Sequence, residues 1–131
     1  MIETTMHPAP YWTGFTNGEH SAFADAPQHK GGGAAALGPH ELLEAALATC
    51  ISMAVRMRAA HEGIALEDVR TRVHLDRTHE GTATFECDVQ IIGVFSPEQR
   101  QLLMDSASNC PVRQTLSKQL EFRLRSTREH G

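Results

Sequence analysis

The sequence predicts an α+β domain in which antiparallel strands pack against one long helix. Residues 39–62 contain no internal glycine or proline and are rich in helix-forming residues. Two later stretches alternate apolar and polar residues, as half-buried antiparallel strands do. The elements follow the order strands, long helix, strands, helix, strand, which is typical of this fold class. With 131 residues, the chain has the usual size of one domain, so we predict a single domain over residues 1–131.

The N-terminal part predicts a hairpin followed by a flexible loop. Asn17-Gly18 is a strong signal for a tight turn between two strands, which we place near 9–16 and 19–25. Residues 30–38 read KGGGAAALG, which is too flexible for a helix or a central strand. The segment could be a linker, a phosphate cradle or a loop that leads into a helix. It lacks the P-loop and dinucleotide-binding glycine patterns, which favours the loop.

The long helix has clear limits. Pro39 suits its first turn, and Gly63 is a natural stop after residue 62. Its apolar residues cover more than half of its circumference, so we predict a central helix that is buried on most sides. They are Leu42, Leu43, Ala46, Leu47, Cys50, Ile51, Met53, Ala54 and Met57.

The C-terminal half predicts three strands and one or two helices. The first two strands have apolar positions at residues 69–75 and 85–91, with a turn near 79–81. Ser96-Pro97 opens a second helix that reaches about Cys110, and Pro111 either interrupts it or begins another. Leu120, Phe122 and Leu124 alternate with charged residues and predict a last strand.

Composition narrows the class of partner and the location. The net charge of −4 argues against nucleic acid or an anionic membrane as the main partner. No apolar run approaches the roughly 20 residues needed to cross a bilayer, and the first ten residues do not resemble a signal peptide. We therefore expect a cytoplasmic protein. Three cysteines in a reducing compartment are core thiols, metal ligands or reactive groups, not a disulfide framework.

The pattern alone leaves the role of two cysteines open. Cys87 is in phase with the apolar face of its strand, which favours a packed core thiol. Cys50 lies among apolar helix residues, where a core thiol is the more frequent case. Cys110 precedes Pro111 at a helix end, which suits a reactive and a core thiol about equally. No C-x-x-C pair occurs and the eight histidines are scattered, so we expect neither a metal site nor a cofactor.

Two segments together resemble a known family. Residues 39–50 carry P-x-E-L-L-x-A-A-L-x-x-C after a glycine-rich loop, and residues 110–116 carry C-P-V-x-x-x-L. Both patterns, their order and the interval between the cysteines resemble those of OsmC/Ohr proteins, over roughly residues 22–126. The resemblance implies the OsmC-like fold, with antiparallel sheets around the long helix in an intertwined homodimer.

The resemblance also implies a chemistry. Family members are thiol-dependent peroxidases that reduce organic hydroperoxides in oxidative stress defence. Cys50 would be the peroxidatic cysteine and Cys110 the resolving one, and a dithiol or lipoyl-type reductant would reset the pair. An apolar pocket would favour alkyl peroxides over hydrogen peroxide.

The sequence departs from the family at a position that matters for the chemistry. The stronger peroxidases of the family use an N-terminal arginine, held by a glutamate directly after the helix proline. Here Arg56 is the first arginine, and His40 follows the proline with Glu41 next. We predict that His40 and Glu41 belong to the catalytic site. His29, Lys30 and Arg113 are further candidates to replace the arginine.

Two other functions therefore stay open. The chain could be a thiol redox sensor, in which the cysteine pair oxidises without fast turnover. It could also be an OsmC-like protein that binds a small ligand and keeps its cysteines in the core.

Overall fold

The computed structural model describes residues 1–127, and its longest element is helix α1 (Pro39–Glu62), which has the predicted limits. The Glu41 carboxylate accepts the Gly38 N–H at 3.0 Å and so closes the start of the helix. Gly63 ends it in the left-handed conformation, at φ 65°, where glycine carries no steric penalty.

The N-terminal strands form an antiparallel sheet in the order β1 (Glu3–Met6), β2 (Thr13–Thr16) and β3 (Ser21–Ala24). The predicted hairpin between β2 and β3 is confirmed. The Asn17 side chain accepts the N–H groups of Glu19 and His20, at 2.9 and 2.8 Å, and Gly18 adopts φ 101°. Strand β1 was not predicted, because its four residues are all exposed and carry no apolar alternation.

The second sheet pairs β4 (Asp68–Asp76) with β5 (Thr84–Ile92), antiparallel, with Thr71 opposite Val89. Helix α1 lies mainly over β4. The Glu44 carboxylate accepts the Leu75 N–H at 2.8 Å, and the Ser52 and Thr71 hydroxyls are 2.8 Å apart. These two contacts fix how α1 lies across the sheet.

Two shorter helices complete the core. Helix α2 (Pro97–Ser108) begins with the predicted cap, in which Ser96 and Gln99 exchange side-chain and backbone hydrogen bonds. Helix α3 (Pro111–Leu116) follows after two residues, so Pro111 begins a new helix. The core joins one face of α1 to the second sheet and α2, through Leu47, Ile51, Val55, Ala59, Ile64, Ile91, Leu103, Ala107 and Cys110.

The predicted burial of α1 on most sides is not observed in the single chain. One face packs into the core, and the opposite side carries an exposed or half-buried apolar row. We call this row the α1 stripe; it consists of Leu43, Ala46, Cys50, Met53 and Met57. Its spacing of 3, 4, 3 and 4 residues is that of a helix seam that packs on another helix. No helix within residues 1–127 is long and apolar enough to span a bilayer.

The predicted last strand is also wrong for the single chain. Residues 120–125 have no regular secondary structure, and Phe122 and Leu124 are 90% and 101% exposed. A strand needs a partner strand for its backbone groups, and no strand within residues 1–127 pairs with this segment.

Candidate thiol site

The fold brings Cys50 and Cys110 together, although they are 60 positions apart. Cys50 lies near the middle of α1, and Cys110 is the residue that caps the start of α3. Contact with the Cys50 thiol is one of the causes that raise the pKa of Cys110. The Val112 N–H, which has no acceptor inside its own helix, donates to the Cys50 sulfur at 3.5 Å. The Cys50 sulfur therefore accepts a backbone hydrogen bond from the helix that Cys110 caps.

The turn that carries Cys110 is fastened by side chains at the end of α2. The Asn109 side chain donates to the Asp105 carbonyl at 2.9 Å, and the Gln114 side chain donates to the Asn109 carbonyl at 2.9 Å. The Arg113 guanidinium donates to the Ser108 carbonyl. These bonds satisfy carbonyl groups that the end of a helix leaves free, and they hold Cys110 against α1.

The two thiols lie in different surroundings. Cys110 is fully buried, and Cys50 is half-buried on the α1 stripe. Burial is the largest cause that raises the pKa of Cys110, opposed by the N–H groups of Arg113 and Val112. Cys110 therefore stays a protonated thiol at neutral pH, and Cys50 is the sulfur that a reagent can reach.

The prediction that the third cysteine, Cys87, is a core thiol is wrong. Cys87 is exposed and lines a groove of about 390 Å³ together with Leu47, Phe85 and Leu116. Its side chain points to the predicted face of β5, but α1 lies mainly over β4 and leaves that part of β5 uncovered. Desolvation raises the pKa of Cys87, while the nearby Arg113 charge lowers it.

His40 and Glu41 do not lie near Cys50 of the same chain. Nine or ten residues separate them from Cys50 along α1, which is about 14–15 Å at the helical rise per residue. Glu41 uses its carboxylate to cap the helix, and His40 faces a cavity at the helix start.

This cavity gathers several of the candidate cationic groups. It measures about 640 Å³ and is lined by His29, Lys30, His40 and Arg77, among others. We call it the cation cavity. Lys30 and Arg77 form no ion pair with any carboxylate of the described chain. Arg113, in contrast, is engaged at the end of α2 and acts on Cys87.

Sequence reasoning missed two parts of this arrangement. The Val112 N–H had a local signal, since Cys110-Pro111-Val112 begins a helix and the first N–H groups of a helix are free. Arg77 had none, because the turn after β4 meets the helix start only in the folded chain. Among residues 1–127, no three histidine, cysteine or carboxylate side chains cluster closely enough to hold a metal ion.

The arrangement joins an accessible thiol, a second buried thiol in contact with it and a backbone donor. Such a pair can be oxidised to a disulfide through a sulfenic acid on the accessible sulfur.

Comparison with known proteins agrees with this fold and places the chain in a family. One solved structure, named as an osmotic stress induced and detoxification response protein of Psychrobacter arcticus, superposes with a TM-score of 0.74 at 17% identity, over 87% of this chain and 85% of that chain. An organic hydroperoxide resistance protein OsmC of Legionella pneumophila gives 0.63 at 24%, over 89% and 88%. An organic hydroperoxide resistance protein of Vibrio cholerae, with captopril in one of its active sites, gives 0.62 at 19%, over 89% and 84%.

No curated protein sequence matches the chain significantly. The family model described as OsmC-like protein matches residues 31–125, which include helix α1, Arg77 and the cysteine pair. The chain therefore belongs to the OsmC-like protein family.

Proposed function

We propose that the protein is a thiol-dependent peroxidase that reduces organic hydroperoxides, with Cys50 as the peroxidatic and Cys110 as the resolving cysteine. The observation that carries the proposal is the position of the half-buried Cys50 sulfur, which accepts the Val112 N–H at 3.5 Å beside the turn that holds the fully buried Cys110. Two solved structures of similar fold are named for organic hydroperoxide resistance, which supports the same function.

The reaction follows from the surroundings of the two sulfurs. The Cys50 thiolate attacks the terminal oxygen of the hydroperoxide, the O–O bond breaks, and the alcohol leaves with one proton from solvent. Cys50 becomes a sulfenic acid. The Cys110 sulfur then attacks the Cys50 sulfur, an S–S bond forms, and water leaves. A dithiol or lipoyl-type reductant reduces the disulfide by two thiol–disulfide exchange steps and becomes oxidised itself.

The surface around Cys50 supports an apolar substrate. Its neighbours on the α1 stripe are Ala46 and Met53, and Met53 and Met57 are 52% and 69% exposed. An alkyl or aryl hydroperoxide can bury its organic part against these side chains, which hydrogen peroxide cannot do.

We further propose that the working form is a homodimer. The single chain exposes 10525 Å². A compact monomer of 14.4 kDa exposes about 6,800 Å², so the chain has an excess of about 3,700 Å². Obligate dimers bury about 2,000–5,000 Å² or more over both copies, which is about 1,000–2,500 Å² or more per chain. The excess, the bare α1 stripe and the unpaired apolar segment 120–125 all support extensive contact with a second copy.

A steady-state assay tests the proposed activity. With a dithiol reductant in excess, the protein should consume cumene hydroperoxide about tenfold or more faster, at equal low concentration, than hydrogen peroxide, because apolar contacts discriminate by roughly this amount. The Cys87→Ser variant is the matched control and should keep the full rate. Equal rates for the two peroxides, or no consumption above the reductant alone, would contradict the proposal.

One observation favours a second candidate, a redox sensor without fast turnover. Within residues 1–127 of one chain, Lys30 and Arg77 line the cation cavity at the start of α1. Cys50 lies near the middle of the same helix, so these charges are remote from its sulfur. A single round of oxidation to a disulfide, followed by no measurable steady-state consumption with dithiol present, would select the sensor over the enzyme.

A further inference from the structure

We propose that Lys30 and Arg77 of one subunit supply the positive charge that stabilises the Cys50 thiolate of the other subunit. The inference rests on the proposed function, because it uses the dimer and the nucleophilic role of Cys50. It assigns to two residues of the cation cavity the role that the N-terminal arginine plays in other family members.

The first step is the position of a second copy against α1. A mainly apolar cavity of about 720 Å³ lies between the N-terminal sheet and the first half of α1. Ile2, Tyr11 and Phe15 wall it on the sheet side, and Leu42 and Ala46 on the helix side. We place the α1 stripe of a second copy in this space, because the stripe is exposed and the chain has more surface than a compact monomer of its mass.

The second step is the register of the two helices. Ala46 is the smallest residue in the first half of the stripe, and the apolar cavity lies directly on it. A two-fold axis there lets two α1 helices approach closely and run antiparallel. In that arrangement Cys50, four residues after Ala46, faces Leu42 of the other subunit, four residues before Ala46. The Cys50 sulfur therefore lies toward the partner's helix start.

The third step is what lies at that helix start. The apolar cavity and the cation cavity share Asp25 and Pro39 in their walls, so the two cavities adjoin. A sulfur that enters along the apolar cavity toward Pro39 reaches the edge of the cation cavity. Lys30 and Arg77 line that cavity and form no ion pair with carboxylates of residues 1–127.

The carboxylates of the cation cavity are already occupied. The two Asp25 oxygens accept the Ala26 and Ala35 N–H groups at 2.8 and 3.1 Å. Glu41 accepts the Gly38 N–H at 3.0 Å. Both carboxylates hold backbone in place, and neither forms an ion pair with Lys30 or Arg77 within residues 1–127.

The loop that carries Lys30 is fixed before any partner arrives. The Lys30 and Gly32 N–H groups both donate to the Pro27 carbonyl, at 3.0 and 3.1 Å. A Cβ atom at Gly32 would lie 2.0 Å from the Ala26 carbonyl oxygen, so only glycine permits this close turn. The lysine is therefore presented on a closed loop, which lowers the entropy cost of holding its charge at the site.

The test measures Cys50 alone. In a Cys87→Ser and Cys110→Ser background, Cys50 is the single thiol, and its alkylation by uncharged iodoacetamide at pH 7 reports its thiolate fraction. Lys30→Gln combined with Arg77→Gln should slow alkylation about three- to tenfold, and each single replacement should slow it less. Arg70→Gln combined with Lys118→Gln removes two exposed charges elsewhere and should leave the rate unchanged.

Mixed dimers decide whether the charge comes from the other subunit. The slow variant is co-expressed with a chain that keeps Lys30 and Arg77 but carries Cys50→Ser, Cys87→Ser and Cys110→Ser. In the mixed dimer the single Cys50 faces intact cations and should regain the unsubstituted rate. A mixed dimer that stays slow, or a double replacement that never slows alkylation, would overturn the inference.

The readout separates this inference from the proposed activity. If the mixed dimer regains the alkylation rate but the protein consumes no peroxide, only the proposed peroxidase activity is refuted. If the protein consumes peroxide but replacing Lys30 and Arg77 does not change alkylation, only the role proposed for these two residues is refuted.

Discussion

Replacing Cys50 by serine should reduce the consumption of cumene hydroperoxide to the uncatalysed level. A serine hydroxyl at this position is not ionised at neutral pH and cannot take the peroxide oxygen, so the first step is lost. We expect a loss of at least about 10³-fold, since removing a catalytic nucleophile leaves only what binding contributes. The initial rate of peroxide loss with dithiol present is the measurement.

The variant Cys110→Ser is the matched comparison, because it leaves the first step intact. Cys50 should still reduce one hydroperoxide and then accumulate as a sulfenic acid that dimedone can trap. Cys87→Ser should behave as the unsubstituted protein. A Cys50→Ser variant that keeps its rate would show that the chemistry belongs to another residue.

Replacing Ala46 by glutamate should break the homodimer. The side chain would place a charge in the apolar cavity where the two α1 helices are proposed to cross, and burying an unpaired carboxylate there is strongly unfavourable. We expect the sedimentation mass to fall from two chains to one and the melting temperature to drop by ten degrees or more, on the order of a loss of several kcal/mol.

Ala60→Glu provides the control for this variant. Ala60 is also an exposed alanine of α1, but it lies 14 residues, about 21 Å, further along the helix. It should remain a dimer with a nearly unchanged melting temperature. The crossing is misplaced if Ala46→Glu sediments as two chains, and the dimer itself is wrong if the unsubstituted protein sediments as one.

The elements with local signals were predictable from the sequence. Pro39 and Gly63 limited α1 correctly, Asn17-Gly18 gave the hairpin, and Ser96-Pro97 gave the start of α2. Each signal depends on backbone groups within a few residues, so it needs no knowledge of the rest of the chain.

The failed predictions share a physical cause. A residue pattern shows which face of a helix or strand is apolar, but it does not show what packs against that face. Cys87 points to the predicted side of β5, yet α1 lies mainly over β4 and leaves Cys87 exposed. The α1 stripe and residues 120–125 have the apolar periodicity of a helix face and of a strand, but their apolar side chains are largely exposed in the single chain. For the last two, we attribute the missing cover to a second copy, which the family resemblance implied but the residue pattern alone does not show.

The thiol site was predictable only in part. Residue patterns left Cys50 and Cys110 open between core and reactive roles, and the family resemblance paired them. The structure places the Cys50 sulfur against the turn that carries Cys110, where it accepts the Val112 N–H. The Val112 N–H at the Cys50 sulfur and Arg77 in the cation cavity come from segments that meet only on folding, so spacing could not reveal them.

Mapping the disulfide after one stoichiometric exposure to cumene hydroperoxide tests the central claim most directly. The protein would be oxidised without reductant, its free thiols blocked, and the digest analysed by mass spectrometry. The account predicts one peptide pair joined through Cys50 and Cys110, with Cys87 blocked as a free thiol. A digest in which Cys50 is still a free thiol, or in which Cys87 is the oxidised residue, would contradict it.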